Sequence, residues 1–82
     1  MEKKENLNFG EAIEALKRGQ RVTRPGWNGR GIYLWLLPAA EANGGEIEAL
    51  GSIRMMTADK EVLTGWRASQ SDMLSEYWQI LD

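Results

Sequence analysis

Two short segments carry most of the side chains that could do chemistry. RPGWNGRG, positions 24–31, sets Arg24, Trp27, Asn28 and Arg30 among glycines, and WRASQSD, positions 66–72, sets Trp66, Arg67, Ser69, Gln70 and Asp72 almost in a row. An indole can stack on a nucleobase, and guanidinium groups and glycine amides can hold phosphate oxygens. Amide, hydroxyl and carboxylate groups can bond ribose hydroxyls. Together these are the parts of a site for a mononucleotide-like ligand. A blander reading stands beside that one: a tryptophan in a turn can simply cap the edge of a core, and Ser69 and Asp72 already make sense as helix caps.

Other chemistries have less to work with. The chain has no histidine and no cysteine, so a Ser-His or Cys-His relay, a disulfide framework and a zinc site built on thiolate or imidazole are all excluded. The carboxylates Glu11, Glu14, Glu41, Glu46, Glu48, Asp59 and Glu61 fall on a polar helix face, in an acidic loop or at turns. They read as solvated charges and show no hard-metal loop spacing. GWNGRG is neither a Walker motif nor a dinucleotide fingerprint, because it lies between strands rather than ahead of a helix. No cofactor is expected. A net charge of −2 and a pI near 5.1 argue against a nucleic-acid polymer as partner, which needs a basic face. The longest apolar run, IYLWLLPAA, is too short to span a bilayer, and MEKKENLNF is not followed by a signal-peptide core. The expectation is a cytosolic protein with no membrane partner.

The elements that must position the two segments can be read from period and caps. With 82 residues the chain is expected to be one domain, 1–82, with 1–6 frayed and 38–52 an acidic loop. NFGEAIEALKRG predicts a helix: Asn8 is the N-cap, Glu11 closes a capping box, Leu7 and Ala12 form a staple, and Gly19 stops it. Phe9, Ala12, Ile13 and Leu16 make its apolar stripe. QRVTR predicts a short strand ended by Pro25-Gly26 at the centre of a type II turn. IYLWLL predicts a strand apolar on both faces, with Ile32, Leu34 and Leu36 on one and Tyr33, Trp35 and Leu37 on the other. SIRMMT and EVLTGW predict a hairpin around ADK. SQSDMLSE predicts a short helix capped by Ser69 and Asp72, and YWQIL a closing strand with Trp78 and Ile80 on one side and Tyr77, Gln79 and Leu81 on the other. Trp35 and Trp78 read as core or interface residues. The class is α+β: an N-terminal amphipathic helix on a small antiparallel sheet, with a short second helix before the C-terminal strand.

A domain of this size hides only ~60% of its unfolded surface. The two-faced strand therefore calls either for a second subunit or for the C-terminal segment to fold over its far side.

NFGEAIEALKRGQRVTRPGWNGRGIYLWL followed by IRMMTADKEVLTGWRASQSDMLSEYWQIL resembles a family of small phage and prophage proteins, the Thoeris anti-defence proteins of the second type. FGEAIEALKRG, RPGWNG, MTAD and W-x-ASQSDMLSEYW carry the resemblance, over about 8–37 and 53–81. It implies a non-catalytic sponge, a homotetramer in the cytoplasm of the infected bacterial host. Such a sponge binds without cleaving the cyclic ADP-ribose isomer made by a TIR-domain enzyme, and some members also hold cyclic dinucleotides at a separate site. On the matching positions it implies Trp27, Asn28, Trp66, Ser69 and Asp72 as pocket contacts, with Phe9 and Arg24 beside them. The chain departs from the family pattern at Met56, where lysine is common, and at Leu50-Gly51-Ser52, where a more apolar lead into the strand is usual. The rival class is a small phage structural protein whose two-faced sheet exists only to assemble. A single-strand nucleic-acid binder stacking bases on its tryptophans is disfavoured by the charge.

Overall fold

The computed structural model describes residues 3–27, 31–38 and 51–81. Asn28 and most of the expected acidic loop lie outside the described residues.

Helix α1 (Phe9–Lys17) begins where its capping box says it should. The Asn8 side chain accepts from the Glu11 backbone N–H at 2.8 Å, and the Glu11 carboxylate accepts from the Asn8 N–H at 2.9 Å. It ends in a Schellman arrangement, with the Gln20 N–H on the Ala15 carbonyl and the Gly19 N–H on that of Leu16, each at 3.0 Å. Gly19 supplies the positive φ of 87° that this closure requires. Leu7 and Ala12, the expected staple pair, are both buried in the core.

Five strands follow as one antiparallel sheet: β1 (Arg21–Thr23), β2 (Tyr33–Leu37), β3 (Ser52–Met56), β4 (Val62–Thr64) and β5 (Gln79–Leu81), in the order β4-β3-β2-β1-β5. Helix α2 (Gln70–Leu74) precedes β5 and lies beside α1. Pro25-Gly26 forms the turn after β1, with Gly26 at φ 102° as a type II turn demands. The β3–β4 turn runs from Thr57 to Glu61, whose backbones bond at 2.8 Å.

Register sorts the side chains into two faces. Val22 pairs with Leu34 and with Ile80, and Leu34 with Met55. These point inward, where Leu7, Ala12, Ala15, Leu16, Val22, Leu34, Trp78 and Ile80 form the buried core under α1. On the other face Tyr33 pairs with Met56 and Trp35 with Arg54. Tyr33 and Trp35 pack ring to ring at 5.6 Å, Arg21 lies 5.1 Å over the Tyr33 ring, and all three β2 side chains there are half-buried. The C-terminal strand does not fold over this face. It extends the sheet instead, pairing with β1, because Ile80 must join Val22 in the core. The N-terminal segment runs along its far side, with the Lys4 carbonyl accepting from the Ile80 N–H at 2.8 Å and Leu7 bridging Trp78.

Candidate functional site

The two segments singled out in the sequence meet around one residue. Trp78 has no exposed surface, and three aromatic rings surround it: Trp27 edge-on at 5.4 Å, Trp66 edge-on at 6.3 Å and Phe9 tilted at 5.7 Å. Trp27 and Trp66 also meet each other at 6.3 Å. The edge-to-face contacts of the two outer tryptophans at these separations suit the ring quadrupoles. Phe9, Trp27 and Trp66 are each half-buried. Each is supplied by a different element: the first residue of α1, the turn after β1, and the link between β4 and α2. Trp66 is held in place by its own N–H, which donates to the Ile53 carbonyl at 2.9 Å.

A polar knot joins the same two segments. Ser69 caps α2 and Asp72 returns the bond, as the sequence predicts: the Asp72 N–H donates to Ser69 Oγ at 3.1 Å, and Oδ2 accepts from the Ser69 N–H at 2.8 Å and its hydroxyl at 2.9 Å. Oδ1 does something the cap does not explain. It accepts from Arg24 Nε at 2.8 Å and from Trp27 Nε1 at 3.1 Å. The Arg24 guanidinium lies 5.7 Å from the centre of the Trp27 ring, and the Asp72 carbonyl accepts from Trp78 Nε1 at 3.0 Å.

Asp72 is only 5% exposed. Burial pushes its carboxyl up, but the Ser69 N–H, Arg24, the Trp27 indole and the Ser69 hydroxyl together outweigh that, and it lies below its ordinary value of 3.8. It is therefore ionised at neutral pH, with two donors on each oxygen. A carboxylate so held is not poised near neutrality for proton transfer.

Six of the seven predicted site residues, Phe9, Arg24, Trp27, Trp66, Ser69 and Asp72, thus belong to one cluster, and the seventh, Asn28, lies outside the described residues. Trp78, which the sequence leaves as core or interface, lies in the core and is also the floor of this cluster. A separate concavity of ≈ 490 Å³ opens between the N-terminal segment and α1, lined by Lys3, Leu7, Asn8, Gly10, Glu11, Glu14, Arg18 and Ile80. Its lining mixes both signs of charge and holds no aromatic ring, so the tryptophan cluster is the better candidate for a flat ligand. Among the described residues no group of three or more acidic side chains is placed to hold a metal ion, and no helix is long and apolar enough to cross a membrane.

Comparison with known proteins covers this whole region. A family model described as the Thoeris anti-defense 2-like domain matches residues 7–81, which include both tryptophan segments and every residue of the cluster. A curated relative, Thoeris anti-defense 2 of Bacillus phage SP01, is 36% identical over 88 residues, spanning 95% of this chain and 98% of the relative.

Proposed function

Because the chain belongs to the Thoeris anti-defense 2-like family, we propose that it serves its anti-defence role as a sponge. In this reading it binds a cyclic ADP-ribose isomer made by a bacterial TIR-domain enzyme and withholds it from the effector that the signal activates. The observation that supports this best is the arrangement of Phe9, Trp27 and Trp66, three half-buried rings around a buried indole. Adenine stacks on an outer indole, which is worth about 1–3 kcal/mol per base. The diphosphate takes guanidinium and backbone N–H donors from the two segments, and Asn28 serves the ribose hydroxyls. The protein holds the signal without cleaving it and works in the cytoplasm of the infected host. Cyclic dinucleotides occupy a separate site in the same reading.

Sequestration acts by affinity and stoichiometry, so nanomolar binding, about 12 kcal/mol, is what it needs. A single chain this small offers limited enclosure. We assign the outer sheet face, with Tyr33, Trp35 and Met56, to contact with further copies in a homotetramer, which hides apolar surface and lets subunits share a pocket. That same face is what favours the second reading, a protein that only assembles.

One experiment separates these. The protein is titrated with the cyclic ADP-ribose isomer in a calorimeter, then denatured, and the released small molecule is analysed. Intact ligand at fixed stoichiometry is the expected result. A hydrolysed product would make the protein an enzyme, and no binding to the isomer or to cyclic dinucleotides would leave the assembly reading.

A further inference from the structure

We propose that Asp72 is the positioning residue of this site, and that its Oδ1 atom fixes the Trp27 ring and the Arg24 guanidinium while Oδ2 serves the helix cap. What is positioned rests on the ligand reading above; the tie itself belongs to the fold and can be tested without ligand.

Trp27 lies in the link between two strands, beside glycines whose backbone is permissive. β1 ends at Thr23 and β2 begins at Tyr33, and Gly26 and Gly31 both adopt positive φ, at 102° and 77°. A backbone of this kind can place an indole in many orientations. Contacts from surrounding side chains choose one: the edge-on packing against Trp78 and Trp66, the Arg24 guanidinium 5.7 Å from the ring centre, and the bond from Nε1 to Asp72. The partner lies 45 positions away in the sequence, and Arg24 reaches the same oxygen from 48 positions away. One carboxylate atom therefore bonds both the proposed stacking surface and a neighbouring cation.

The division of labour follows from counting donors. A helix cap needs only the Ser69 contacts, which fall on Oδ2. Burial of the carboxylate costs solvation, and the ion pair offsets that cost: the side chains of Arg24 and Asp72 are 16% and 7% exposed, with a 2.8 Å contact. With two donors on each oxygen, Asp72 has no free acceptor for a ribose hydroxyl. Its contribution to binding passes through Trp27 and Arg24.

The test uses the four tryptophan indole N–H signals of ¹⁵N-labelled protein, together with calorimetry against the cyclic ADP-ribose isomer. In Asp72→Asn the Trp27 indole N–H loses at least about tenfold of its protection from solvent exchange. The Trp78 indole N–H, bonded to the Asp72 backbone oxygen, keeps its own. Affinity for the isomer falls roughly tenfold to a hundredfold at unchanged stoichiometry, the usual effect of losing a hydrogen bond to a charged group. If the asparagine also loosens α2, the Trp78 signal reports it. Trp27→Phe, which keeps an aromatic ring but loses the donor together with roughly 40 Å³ of side-chain volume, then carries the test and is expected to weaken binding by at least a similar factor.

Full exchange of the Trp27 N–H in the unmodified protein would overturn the proposal. So would undiminished affinity in both variants. An unmodified protein that shows the expected indole signals but does not bind the isomer would overturn the sponge reading and leave the tie standing.

Discussion

Replacing Trp78 by phenylalanine tests whether one residue holds the cluster together. The indole has no exposed surface and donates to the Asp72 carbonyl at 3.0 Å. Phenylalanine keeps an aromatic ring but leaves that buried carbonyl without its donor, a loss of about 1–3 kcal/mol. It also removes roughly 40 Å³ of packed volume, which at ~24 cal/mol per Å³ adds about 1 kcal/mol. The expected destabilisation is therefore about 2–4 kcal/mol. A domain of 82 residues is ordinarily stable by about 4–12 kcal/mol, so Trp78→Phe should still fold at room temperature. Urea unfolding followed by far-UV circular dichroism is the assay, since the substitution alters the fluorescence signal itself. The midpoint should fall with the slope unchanged. A loss under about 1 kcal/mol would refute the reasoning, because the cluster would then be held by its other contacts.

Three further outcomes follow from the same geometry. Because the Asp72 carboxyl is held below its ordinary 3.8, its contribution to stability is fully present above that value and is lost as pH falls through the lower, folded-state pKa; acid titration of Asp72→Asn, compared with the unmodified chain, should show a shallower loss in that window. Gly19→Ala meets no atom within 4 Å, so its cost comes only from φ 87° and should be about 1–2 kcal/mol, lowering Tm by at least about 4 °C. Trp35→Glu puts a charge at the middle of the outer sheet face and should weaken self-association at least tenfold by sedimentation, with the circular dichroism spectrum unchanged.

Local signals in the sequence were strong where the chain closes structure on itself. Asn8 with Glu11 and Ser69 with Asp72 each announce a helix start three residues apart, and both capping boxes form. Gly26 and Gly19 sit where positive φ is needed. The alternation in YLWLL put Leu34 and Trp35 on opposite faces, and Leu34 is the one that is buried. Strand order was not legible. That β5 pairs with β1 rather than covering β2 follows from bringing Ile80 beside Val22, and no short-range pattern encodes that choice. The site was half legible for the same reason. Both tryptophan segments stand out by composition, and the family resemblance rests on them. But Asp72 reads as a cap and a candidate ligand contact, not as a tie between the segments, because its second pair of donors lies 45 and 48 positions away. The one hint is that Arg24 and Asp72, of opposite charge, each share a segment with a tryptophan, which is too common a pattern to assign a contact.

The central claim is that the half-buried indoles hold a nucleotide, and Trp66→Ala tests it most directly. Trp66 packs edge-on against Trp78 at 6.3 Å and is only half-buried, so its removal should spare the fold. Calorimetric titration of the cyclic ADP-ribose isomer should show saturable binding at fixed stoichiometry to the unmodified protein. In Trp66→Ala it should be weaker by about tenfold or more, as loss of one base stack implies. Equal affinity for the two proteins, each shown to be folded and in the same assembly, would contradict the account.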